Sequence, residues 1–149
     1  MILADTNLVS TFARVGALDL VRQAVKADRL YVTPSTLSEI QRAVDVGCGF
    51  LASTIEAIQT GVEMDVVELR REEILAVKEL PSALGAGEAE SIAVCLKRRG
   101  ARLLTNDKRA RNFCRERSLP CLDLPGILRA LWVGRVLTKG AGQGASPSH

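Results

Sequence analysis

Short apolar runs alternate with helical segments along almost the whole chain, and that alternation limits what it can fold into. Residues 2–4, 29–32, 65–69, 102–105 and 120–122 read as strands. Residues 8–26, 34–46, 51–60, 71–79, 88–99, 108–117 and 126–133 read as helices. Local signals support the boundaries. Thr33 can cap the helix that begins at Pro34, where the missing N–H of proline is not needed. Gly47-Cys48-Gly49 stops that helix, and Gly100 is expected as the C′ residue that ends 88–99. Strands that alternate with helices imply a parallel sheet covered on both faces. Such sheets bind ligands at the carboxyl ends of their strands. The expectation is therefore one α/β domain over residues 1–135, a central parallel sheet flanked by helices on both faces, with no internal repeat. Residues 136–149 have almost nothing to bury and are expected to be a disordered tail.

Composition narrows the chemistry. Aromatic residues are only 3% of the chain, so the core must be aliphatic and stacking platforms for single-stranded bases are scarce. The one histidine is the last residue, His149, which argues against a histidine-based triad or acid–base mechanism. Cys48, Cys95, Cys114 and Cys121 form no CxxC pair, which argues against zinc held by Cys and His. Scattered cysteines, no signal-like leader and no apolar run of membrane-spanning length point to a reduced, cytoplasmic setting with no membrane association. The formal net charge is only +3, but nine basic residues fall between Lys97 and Arg117 against two acids, Asp107 and Glu116. A basic segment around one acid suits a polyanion, although a pair of solvated helix faces would carry the same charges.

The positions of five acids differ in what they imply. Asp5 ends the strand at 2–4 and Asp107 follows the strand at 102–105. Both belong at the carboxyl edge of the sheet, though Asp is also a routine helix cap. Glu88 opens a helix, where a carboxylate is favourable through the macrodipole, and it borders the stripe Ala89, Ile92, Ala93 and Leu96. Glu90 lies farther from that stripe and is expected to be solvated. The stripe Leu37, Ile40 and Val44 leaves Glu39 on the far side of its helix, so periodicity alone makes Glu39 a surface residue.

The order of these acids carries more than any one of them. The segments I-L-A-D-T-N, T-P-S-T-L-S-E-I, L-G-A-G-E-A-E-S-I-A-V-C and L-L-T-N-D-K-R-A-R occur in that order and at suitable distances. Over about residues 1–132 the chain resembles the PIN-domain family, nuclease-like proteins that include many toxin–antitoxin ribonucleases. The resemblance implies a PIN-like domain whose catalytic, metal-binding acids are Asp5, Glu39, Glu88 and Asp107. It turns Glu39 toward the sheet edge, against the periodicity. It makes Thr6, Asn7, Thr105 and Asn106 supporting polar groups beside the acids. Hard oxygen ligands of this kind select Mg²⁺ or Mn²⁺. The implied activity is a metal-dependent phosphodiesterase, an endoribonuclease. Lys108, Arg109, Arg111 and Arg115, in the basic segment after Asp107, are then expected to hold the backbone of RNA or another single-stranded nucleic acid. The implied partners are a small antitoxin protein and a second copy of the chain in a homodimer.

Other classes fit less well. A haloacid-dehalogenase-like phosphatase would need a second Asp two residues after the first, where this chain has Asn7. A receiver-like domain would want paired acids beside Asp5. The remaining rival is a catalytically weak PIN-fold module that binds nucleic acid or protein, since a fold does not fix a function.

Overall fold

The computed structural model describes residues 1–123 together with positions 126, 129, 132 and 133. Five strands, β1 (Ile2–Ala4), β2 (Leu30–Val32), β3 (Met64–Val66), β4 (Arg102–Thr105) and β5 (Cys121–Asp123), form one sheet in the order β3-β2-β1-β4-β5. Every pairing is parallel. The described helices are α1 (Thr6–Arg14), α2 (Leu18–Ala24), α3 (Pro34–Asp45), α4 (Ala52–Thr60), α5 (Arg71–Lys78), α6 (Ala86–Lys97) and α7 (Lys108–Glu116).

The alternation of side chains along β1 divides the core into two layers. Ile2 and Ala4 belong with Leu8, Phe12, Val21, Leu30, Ile40, Ile58 and Leu104, contributed largely by α1 to α4. Leu3 belongs with Val67, Ile92, Cys95, Leu103 and Cys114, contributed largely by α6 and α7. Both faces of the sheet are therefore covered, as short parallel strands require. The chain winds outward from β1 through β2 to β3, then crosses to β4 on the other side of β1. The order of winding reverses between β1 and β4, and a crevice at their carboxyl ends is the expected ligand position in such a sheet. The register pairs Ala4 with Leu104, so Asp5 and Thr105 follow side by side at the ends of β1 and β4.

Several boundaries differ from the sequence reading. The single helix expected over 8–26 is two helices, and the first begins at Thr6. Gly16, at φ +67°, breaks it in the left-handed region, where glycine has no Cβ penalty. The strand expected over 65–69 is shifted to Met64–Val66, after which the edge chain keeps one further bond, from Val67 N–H to the Val32 carbonyl, and departs toward α5. Helix α6 starts two residues early because Gly85 takes the extended cap conformation. It ends at Lys97, so Gly100 is not its C′ residue. Gly100 instead supplies the left-handed position, φ +82°, of the turn from Arg98 to Ala101. Thr33 caps α3 as expected, accepting from Thr36 N–H, with Pro34 in the first turn.

Of the helix expected over 126–133, the four described positions are helical and the others lie outside the described residues, as does the 136–149 tail. Among the described residues no helix is long and apolar enough to cross a membrane.

Candidate metal and nucleic-acid site

Asp5 follows β1 directly and caps α1. Its Oδ1 accepts from Leu8 N–H at 2.8 Å and its Oδ2 accepts from the Thr105 hydroxyl. The residue is 1% exposed, and this burial raises its pKa above the usual carboxylate range. The bonds from Thr105 and Leu8 pull the other way, while Asp107 and Glu39 add to the rise. Asp107 plays the matching part after β4, capping α7 through Oδ1 to Arg109 N–H at 2.8 Å. Its own N–H donates to Thr105 Oγ1 at 3.0 Å. One threonine hydroxyl thus ties the two strand-end acids together.

Glu39 comes from α3 and Glu88 from the first turn of α6. Glu39 is half-buried rather than exposed, which corrects the periodicity reading. Its Oε2 accepts from Thr6 Oγ1 at 2.5 Å and its Oε1 from Gly87 N–H at 3.3 Å. The apolar stripe of α3 reports only the face turned to the core; the opposite side is flanked by the first turns of α1 and α6. Glu88 lies against Asp107. Burial comes first and the hydrogen bond with Asp107 second in pushing its pKa up to about 8, with the charges of Asp107, Asp5 and Glu39 adding to both. The same bond, first among the causes, holds Asp107 below its ordinary value. Near neutral pH the pair therefore keeps one proton, on Glu88, as two close carboxylates must when no cation compensates them.

A cleft of about 320 Å³ opens at this edge, lined by Asp5, Thr6, Asn7, Ser10, Glu39, Gly85 and Glu88. Glu90, expected to be solvated, turns away from it and accepts from Ser35 N–H at 2.9 Å and Ser35 Oγ at 2.6 Å, holding the start of α3. The two neighbouring glutamates are thus separated in role. Thr6 and Thr105 each bond one of the acids, Asn7 is exposed on the wall of the cleft, and Asn106 is half-buried with its Oδ1 lacking a donor. Ser10 and Gly85 also line the cleft, and the helix expected over 8–26 does not indicate either. Ser10 is one turn past Thr6, so a helix that begins at Thr6 brings the two to the same face.

The basic residues are spread along α7. Lys108 and Arg109 are exposed in its first turn, and Arg109 also donates to the Ala83 carbonyl at 3.3 Å, before α6. Arg111 is half-buried. Arg115 is exposed two turns on, about 10 Å along the helix from Lys108 at 1.5 Å per residue.

The donor set fits a hard divalent cation. All four acids offer oxygen, and Asn106 Oδ1 beside them is a buried acceptor without a donor. Among the described residues, however, no three acids stand together in ready-made ligand geometry; Asp5, Glu39 and Asp107 are each bonded to protein donors instead.

A family model described as PIN domain (DUF3368) matches residues 1–139. Among solved structures, the chain is similar to VapBC2 from Rickettsia felis, crystallised with a DNA fragment from its promoter. That match has a TM-score of 0.55 at 16% identity and covers 83% of this chain and 98% of the other, which is a likeness of fold. No curated protein matches. The sheet order, the acids at its switch point and the family match over nearly the whole length agree: the chain belongs to the PIN-domain family.

Proposed function

We propose that this protein is a metal-dependent endoribonuclease that hydrolyses RNA phosphodiesters, with its nuclease domain over residues 1–135. The observation that carries the reading is the meeting of Asp5, Glu39, Glu88 and Asp107, from four different elements, at the point where the sheet order reverses. PIN domains are typically nucleases and generally metal-dependent. Asp5 and Asp107 would be the principal ligands of Mg²⁺ or Mn²⁺, with Glu39 and Glu88 completing the set. The bound ion would supply Lewis acidity toward a phosphoryl oxygen and toward the attacking water. The chain's own part is to hold these carboxylates in place through Thr6 and Thr105 and to bring the phosphate backbone close with Lys108, Arg109, Arg111 and Arg115. Such contacts position a strand without reading its sequence.

The biological setting we infer is that of a cytoplasmic toxin, acting as a homodimer and held in check by a small antitoxin protein. It rests on the family and on the size of the domain.

Incubation of wild type, Asp5→Asn and Asp107→Asn with single-stranded RNA in Mg²⁺ or Mn²⁺ tests the activity. Cleavage by the wild type that needs the metal and is lost in both variants supports the enzyme. Equal cleavage by all three proteins refutes the assignment. The second reading, a binding module with little turnover, is favoured by one observation: three of the four carboxylates, Asp5, Glu39 and Asp107, already accept hydrogen bonds from protein N–H or O–H donors. RNA binding with no metal-dependent cleavage would establish it.

A further inference from the structure

Gly87 stands in the first turn of α6, where glycine is a poor choice by local propensity, since it is less favourable than alanine inside a helix. It is not there for a left-handed backbone, which the chain uses at Gly16, Gly47, Gly61 and Gly100 instead. The reason is distance. A Cβ at Gly87 would meet Thr36 Oγ1 at 2.4 Å, and Glu39 Oε1 and Thr36 Cα at 3.4 Å. Thr36 has little room to yield. It is fully buried, and its Oγ1 accepts from Thr33 Oγ1 at 3.1 Å within the cap of α3. The bare backbone of α6 therefore rests on α3, and from there the Gly87 N–H reaches Glu39 Oε1.

We infer that Gly87 is a positioning residue for Glu39. Its missing side chain lets α6 approach α3 closely enough for its amide to fix one oxygen of Glu39, while Thr6 from α1 fixes the other. The inference rests on the proposed metal site and names the residue that aims one of its acids. A local departure from helix propensity at such a place is the expected signature of function.

The test is a double-mutant cycle read by Mn²⁺ binding, by calorimetry or by the paramagnetic signal of the free ion, on the full chain. Gly87→Ala should weaken Mn²⁺ binding by about 10- to 100-fold, the usual effect of losing a supporting hydrogen bond to a ligand. In a Glu39→Gln background the same change should alter affinity by less than about twofold, because its effect runs through Glu39. Thr36→Ala, which removes the clashing oxygen, should restore the binding and thermal midpoint of Gly87→Ala, whereas Thr36→Val, which fills the same space, should not. A Gly87→Ala loss of equal size in both backgrounds would show general damage to the fold and overturn the inference. Wild-type affinity in Gly87→Ala would overturn it too, as would failure of Thr36→Ala to rescue. A wild type that binds no Mn²⁺ refutes the metal site itself and the inference with it.

Discussion

Thr105 donates its hydroxyl to Asp5 Oδ2 and accepts the N–H of Asp107 on the same oxygen, so a single side chain joins the acids that end two neighbouring strands. Asp5 is almost wholly buried, and its carboxylate depends on this donor and on Leu8 N–H. Thr105→Val keeps the shape and removes the hydroxyl. It should destabilise the metal-free fold by about 1–3 kcal/mol, the range for leaving a buried polar group without its partner. Chemical denaturation measures this, and Thr105→Ser should recover most of the loss. A variant as stable as wild type would show that Asp5 is not held through Thr105.

The proton shared by Glu88 and Asp107 makes stability depend on pH in a direction opposite to that of most paired carboxylates. Glu88 is raised from 4.5 to about 8 in the fold. Between those values the native chain holds a proton that the unfolded chain has released, so stability falls as pH rises through the window. The penalty is absent below about 4.5 and complete above about 8. Asp5, raised from 3.8 by burial, adds to the same slope. Asp107 is lowered, so its contribution is present above 3.8 and lost only in more acid solution. In metal-free buffer, Glu88→Gln should flatten the decline in thermal midpoint between pH 5 and 8 and be the more stable protein at pH 8. A wild-type midpoint that is level over this range would contradict the shared proton.

The acids that sequence position reveals are those at the ends of strands. Asp5 and Asp107 follow apolar runs, and a parallel sheet puts those ends on one edge. Glu39 was legible only through the family resemblance. Helical periodicity reports the face that meets a helix's own core, whereas Glu39 is enclosed by the first turns of two other helices. The same limit applies to Glu90, whose partner Ser35 is 55 positions away in the chain. The long helix expected over 8–26 failed for a different reason. Apolar residues continue in helical spacing on both sides of Gly16, and nothing in the period marks the glycine as left-handed. Gly87 lies within the L-G-A-G-E segment, but only its closeness to Thr36 explains why that position has no side chain.

Away from the cleft, Glu73 is fully buried and bonded twice by Arg98, at 2.6 and 2.9 Å, which joins α5 to the end of α6. Arg98 also reaches the Glu68 carbonyl at 2.7 Å. The guanidinium is the main reason that the Glu73 pKa lies below its ordinary value. Its stabilisation is therefore present above pH 4.5 and lost as pH falls through the depressed value. Arg98→Ala leaves a buried carboxylate without its partner and should lower stability by about 3–5 kcal/mol. The double change Glu73→Met and Arg98→Met should be milder than Arg98→Ala alone, since it removes both charges. Denaturation curves at pH 7 decide this, and a double variant worse than the single one would mean that the pair is worth more than its desolvation penalty.

The cations of α7 should act by position. Lys108 and Arg109 stand in the turn that Asp107 caps, while Arg115 lies about 10 Å farther along. If the scissile phosphate sits at the acids, Lys108→Ala and Arg109→Ala should each weaken single-stranded RNA binding and reduce the slope of log affinity against log salt by about 0.7, one phosphate contact apiece. Arg115→Ala should leave the affinity for a dinucleotide unchanged and weaken only that for longer strands, which extend along the helix. The comparison needs Ca²⁺ in place of Mg²⁺ or a cleavage-resistant backbone, so that binding is read without turnover. Equal losses for short and long strands on changing Arg115 would place the substrate elsewhere on the surface and separate the basic helix from the acidic cleft.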